Sequence, residues 1–133
     1  MTTIDARIIR TLTPIFGVRN IYASVTSDVL PKEADGSFTP FCVFSSDGGA
    51  VLESFARIYD RGKSNWTIDI QTFSPRAENA RKLARAVETA ILESKEFLAA
   101  RALANCQDDV DWGMKLFSCS QQFDLWVENP KGT

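Results

Sequence analysis

The sequence predicts an α+β domain, a mostly antiparallel β-sheet with two main helices packed on one face. Three observations carry that expectation. Residues 3–16 and 75–91 repeat apolar side chains at helical spacing. In 64–73, Trp66, Ile68 and Ile70 alternate with Thr67, Asp69 and Gln71, as in a half-buried antiparallel strand. The elements come in the order helix, strand, long loop, strand, hairpin, helix, hairpin, with the helices apart from the strand pairs.

In the first helix Ile4, Ile8, Leu12 and Ile15 form the buried stripe, with Ile9 and Phe16 beside it. Thr3 can cap its N-terminus and Asp5 suits the positive end of the helix dipole. Pro14 should kink or end the helix, and Gly17 stops it. Residues 21–25 read as a short strand. The polar stretch 27–39, with Pro31 and Asp35-Gly36, reads as a flexible loop. Residues 38–46 are dense in Phe and Val and read as a strand, with Pro40 placing its start at an edge. Asp47-Gly48-Gly49 predicts a turn. Residues 51–59 and 64–73 are then expected to pair as a hairpin through Asp60-Arg61-Gly62-Lys63.

Ser74-Pro75 predicts a sharp helix start, a capping hydroxyl followed by proline at the first helical position. Ala80, Leu83, Ala84, Val87 and Ile91 form the inner stripe, while Arg76, Glu78, Arg81, Lys82, Arg85 and Glu88 fill the outer face. Residues 95–102 read as a second short helix or a continuation. Residues 103–110 and 116–127 read as a closing hairpin through Trp112-Gly113-Met114. On its last strand Phe117, Cys119, Phe123, Leu125 and Val127 share a face that Gln121 interrupts. The tail 128–133 is polar and expected to fray. The whole of 1–133 reads as a single domain, without repeats.

Composition narrows the chemistry. The 133 residues include no histidine, which excludes a histidine general base, a Ser-His-Asp triad and histidine metal ligands. Three widely spaced cysteines, Cys42, Cys106 and Cys119, form no CxxC pair and read as free thiols rather than a disulfide framework. Asp5, Arg7 and Arg10 break up any signal-peptide core, and no apolar run approaches the ~18 residues of a membrane span.

The remaining candidates are clusters. Gly62-Lys63-Ser64 resembles the end of a P-loop, but Arg57 stands where the earlier glycine belongs and a strand follows. Asp108, Asp109 and Asp111 gather beside Trp112 and read as a solvated acidic strand end. They could also serve as hard-cation ligands or a carboxylate pair, giving a small carboxylate-based enzyme or ligand-binding domain as an alternative. Arg57, Arg61 and Lys63 form a basic hairpin patch suited to a protein partner. With 15 basic against 17 acidic residues the chain lacks the electrostatic footprint of a DNA binder. Trp66, Trp112 and Trp126 are expected mainly in the core. Ser118, Ser120, Gln122 and Asp124, ending at Trp126, form an exposed strand face that could pack across an oligomer interface.

Several phrases resemble the tail terminator, or tail completion, proteins of long-tailed bacteriophages and related gene-transfer particles. They are the helix ending near Gly17, Asn20-Ile21-Tyr22, Pro40-Phe41-Cys42-Val43-Phe44, the strand from Asn65 to Ser74, the helix from Pro75, and Phe123-Asp124-Leu125-Trp126-Val127. The resemblance spans about residues 4 to 128. It implies a non-enzymatic virion subunit of the tail or neck, assembled in the host bacterial cytoplasm, without cofactor. Such subunits form a ring, typically a hexamer, that caps the tail tube, ends its polymerisation and presents a surface to the head-completion protein. Another neck or head–tail connector subunit is the nearest alternative. DNA has to pass such a ring without sticking. The expectation is therefore that Asp108, Asp109 and Asp111 face the lumen, and that Arg57, Arg61, Lys63 and Trp126 meet protein partners.

Overall fold

The computed structural model describes residues 3–23, 34, 38–51, 63–103, 107–113 and 115–128. Helix α1 (Ile4–Phe16) starts where expected: Thr3 Oγ1 accepts the Ala6 N–H at 3.1 Å. Its buried stripe is Ile4, Ile8, Leu12 and Phe16, a strict four-residue repeat that leaves Ile15 half-buried. Pro14 does not end the helix, because only the last two residues follow it and little of the hydrogen-bond ladder is lost. Gly17 ends it. Its N–H bonds Thr13 O at 2.8 Å, and its φ of 84° and ψ of 146° lie near a region essentially restricted to glycine.

A single 3-10 turn, Val18–Asn20, leads into β1 (Ile21–Ala23), which pairs parallel to β2 (Phe41–Val51). Here the structure corrects the sequence reading. Asp47-Gly48-Gly49 is not a turn; β2 runs through it, and the register slips between Gly48 and Ala50. The glycines absorb an irregularity within one long strand. The partner of β3 (Lys63–Ser74) is accordingly Phe41–Val51, in register from Phe41↔Phe73 to Val51↔Ser64. The expected strand 52–59 lies outside the described residues, as do nearly all of the 27–39 loop and the tail after Glu128.

Helix α2 is Ala77–Glu93, two residues later than Ser74-Pro75 suggested. Ser74 is the last residue of β3, and its Oγ accepts from Arg76 N at 3.3 Å and Asn79 Nδ2 at 3.0 Å. It ties the strand end to the helix start instead of capping the helix. Residues 95–102 are not helical; they lead into β4 (Ala99–Ala102). Strand pairing with β6 (Leu116–Glu128) outweighs the helix propensity of alanine in so short a segment. β5 (Gln107–Asp111) forms the closing hairpin with β6, as expected, and Glu128 belongs to the strand rather than the tail.

The sheet order is β1-β2-β3-β6, with β4 and β5 both pairing β6. All pairs but β1/β2 are antiparallel, so the α+β class holds. Both helices lie on one face. Ile8 and Leu12 of α1 and Val87 and Ile91 of α2 pack with Phe44, Ile68, Ile70, Phe123 and Leu125 beneath them. The interrupting Gln121 is buried in this face, and its Nε2 donates to Ala84 O at 2.9 Å. Burial pushes the Cys42 thiol up to about 12, so it stays neutral at physiological pH.

Two outcomes follow. In Gly17→Ala the new Cβ would meet nothing closer than Asn20 Nδ2 at 4.0 Å. The cost is therefore conformational, about 1–3 kcal/mol in urea unfolding. Cys42 should resist alkylation in the native protein at pH 8 and react on denaturation. Because its folded value is raised, stability should fall as pH rises from about 9 towards about 12.

Candidate functional site

Strand alternation divides the expected acidic cluster between the two faces of the sheet. Asp108 stands opposite Cys119 on the helix-covered face, whereas Asp109 and Asp111 point to the other side with Ser118 and Leu116. Asp108 Oδ2 accepts Arg81 Nε of α2 at 2.8 Å, and Cys119 Sγ donates to Asp108 Oδ1 at 3.1 Å. The Cys119 hydrogen bond first, and the Arg81 guanidinium second, hold the Asp108 carboxyl below its ordinary value. Asp109 Oδ1 accepts the N–H of Val110 at 2.8 Å.

The helix-free face is polar and flat at its centre. Asp69, Gln71, Gln107, Ser120 and Gln122 line a shallow hollow of about 370 Å³. One end carries an aromatic stack, with Phe41 face to face on Phe73 at 4.9 Å and edge-on to Tyr22 at 5.9 Å. Towards the other end Asp124 accepts Thr67 Oγ1 at 3.1 Å and Arg101 at 3.0 Å. The Arg101 guanidinium lies 6.0 Å from the centre of the Trp126 ring. Ser118 is buried, and Ser120, Gln122, Asp124 and Trp126 are half-buried, so this row is less open than the sequence suggested.

The tryptophans separate. Trp66 packs against the core, Trp126 is half-buried under Arg101, and Trp112 is 76% exposed in the β5–β6 turn, contrary to expectation. A hairpin tip offers no second layer to cover it, and Phe117 meets its ring edge-on at 6.4 Å. Lys63 opens β3, while Arg57 and Arg61 lie outside the described residues, as does Cys106. Cys42 and Cys119 are buried.

Nothing in the spacing of Arg81 and Asp108, or of Arg101 and Asp124, announces their pairing. Each pair joins elements brought together only by the sheet. The same holds for Glu96, which accepts Arg10 at 2.8 Å and ties the segment after α2 to α1. Among the described residues no group of three or more Cys, Asp or Glu stands close enough to hold a metal ion, and no helix is long and apolar enough to cross a membrane.

No family model matches the chain, and no curated protein does. Among solved structures, the chain is similar to one from the virion of a native gene transfer agent particle. The TM-score is 0.62 at 15% identity, over 95% of each chain. At that identity the likeness establishes a shared fold.

Replacing Asp108 with Asn tests the geometry. A depressed carboxyl adds stability above its unfolded value near 3.8 that is lost as pH falls through the folded value. The stability gap between wild type and Asp108→Asn should therefore be present at pH 7 and close below about pH 4. It should also shrink in high salt, because the Arg81 pair is exposed.

Proposed function

We propose that this chain is a structural virion subunit of a phage-like particle: a ring subunit that caps the tail tube, ends its polymerisation and offers a surface for head attachment. The observation that carries this reading is the fold likeness to a chain of a gene transfer agent virion over 95% of both chains. The sequence phrases that resemble tail terminators support the finer role. So does the disposition of charge. On the helix-free face the exposed carboxylates Asp47, Asp69, Asp109 and Asp111 outnumber the exposed Arg101, which is paired with Asp124, and a wall of that net sign repels phosphates instead of retaining them.

In this reading the helix-free face, with Asp109 and Asp111, lines the lumen through which DNA passes. Asp108 is held on the helix side by Arg81 and supports the same edge. Arg57, Arg61 and Lys63 meet the tube protein or the head-completion protein, and Trp126 sits near a contact between copies. The ring is a hexamer, and the subunit acts through surfaces rather than through catalysis, with no cofactor.

Deletion of the gene in the producing genome, followed by electron microscopy, tests the role. Tails of uncontrolled length, or separate heads and tails, are expected; normal particles would reject it. A head–tail connector role predicts unattached heads with tails of normal length. Reversing the charge of Arg57, Arg61 and Lys63 together should lower the yield of joined particles while the purified subunit keeps its fold by circular dichroism. Unchanged yield removes these residues from the docking surface.

A further inference from the structure

We propose that copies of this chain join edge to edge, the outer edge of β4 pairing antiparallel with the outer edge of β1 of the next copy. This deepens the ring reading and rests on it for the identity of the partner, a second copy.

Among the described residues the sheet ends at β1 on one side and at β4 and β5 on the other. The two strands that share the second side differ in how their edges are protected. β5 carries three aspartates in five residues, a charge guard against added strands. β4 reads Ala-Ala-Arg-Ala, with no proline and a single charge. Leu98 and Leu103 flank it at 50% and 39% exposure. Leu103 N donates to Gln122 O at 2.8 Å, and the register continues through Arg101↔Asp124 and Ala99↔Trp126. Alternation along an antiparallel ladder then turns the N–H and C=O of Ala100 and Ala102 to the free side. Their methyl side chains leave room for another backbone.

The opposite edge matches. Val18, 61% exposed, opens the turn that leads into β1. Of the five large hydrophobic side chains exposed among the described residues, Leu98 and Leu103 flank β4 and Val18 lies just before β1, while Leu92 and Trp112 lie elsewhere. Strand direction agrees as well. β1 is parallel to β2, β2 and β6 are each antiparallel to β3, and β4 is antiparallel to β6. β1 and β4 therefore run in opposite directions. Rotation about an axis along the strands brings the neighbour's β1 against β4 antiparallel, the more stable pairing. The two patches differ, so the contact is heterologous, and a closed ring leaves neither β1 nor β4 unpaired on its outer side.

Ala102→Pro tests this on the full chain. Proline removes an N–H that points away from β6, so the internal ladder keeps its bonds while the added strand loses a donor. Leu98→Lys combined with Leu103→Lys places charges at two exposed positions beside the same edge and decides the matter if the proline variant does not fold. Sedimentation velocity of the wild type, up to its solubility limit, should show a closed oligomer. Both variants should associate about tenfold more weakly or worse, with unchanged circular dichroism. Glu88→Ala, on the exposed outer face of α2, should assemble like the wild type. A wild type that stays monomeric, or folded β4 variants that assemble normally, overturns the edge contact. Edge-dependent oligomers from a gene whose deletion leaves normal particles would instead reject the ring-cap role and leave the contact standing.

Discussion

The pairing of β3 with β6 is the constraint on which the rest of the molecule depends. The two strands stay in register along all 12 residues of β3, from Lys63↔Glu128 to Ser74↔Phe117. Ile68 and Ile70 on one, and Phe123 and Leu125 on the other, supply the floor on which both helices rest. Because side chains alternate with a period of two, a slip of one residue would exchange that floor for Asp69, Gln122 and Asp124. β6 also carries both short strands of one sheet side, β4 on its later half and β5 on its earlier half. The place of β4 at the rim of the sheet is therefore fixed by the same register that fixes the core.

The two faces of the sheet have separate duties. On the covered face, burial of isoleucine, leucine and phenylalanine from helices and strands supplies the main stabilisation. Polar groups there are tied down: Gln121 to a helix carbonyl, Asp108 to Arg81 and Cys119. The other face has no second layer among the described residues and relies on short polar side chains with one network, Thr67–Asp124–Arg101 beside Trp126. A sheet with one dry and one wet face is common in antiparallel architecture. What distinguishes this one is the excess of exposed carboxylates on the wet face, Asp47, Asp69, Asp109 and Asp111.

Sequence reading succeeded where periodicity is long and local. Thr3 and the Ile4–Ile8–Leu12 repeat marked α1, and the alternation Trp66–Ile68–Ile70 marked β3. It failed where local preference competes with pairing. Two glycines after an aspartate signal a turn, yet at Gly48 and Gly49 the partner strand continues and the chain takes up the excess as a register shift. Alanines at 99, 100 and 102 favour a helix, yet the open side of β6 makes them a strand. Trp112 is hydrophobic enough for a core, yet its place in a hairpin turn exposes it.

The sequence by itself determined the α+β class, the two amphipathic helices, the absence of histidine chemistry and the near balance of charge. These depend on composition and on spacings within one element, which a linear chain displays directly. Only the tertiary structure decided which strand lies beside which, that Asp108 turns to the helices while Asp109 and Asp111 turn away, and that β4 is the unguarded edge. Those outcomes are set by contacts between residues far apart in sequence, and by the strand alternation that gives neighbouring residues opposite faces.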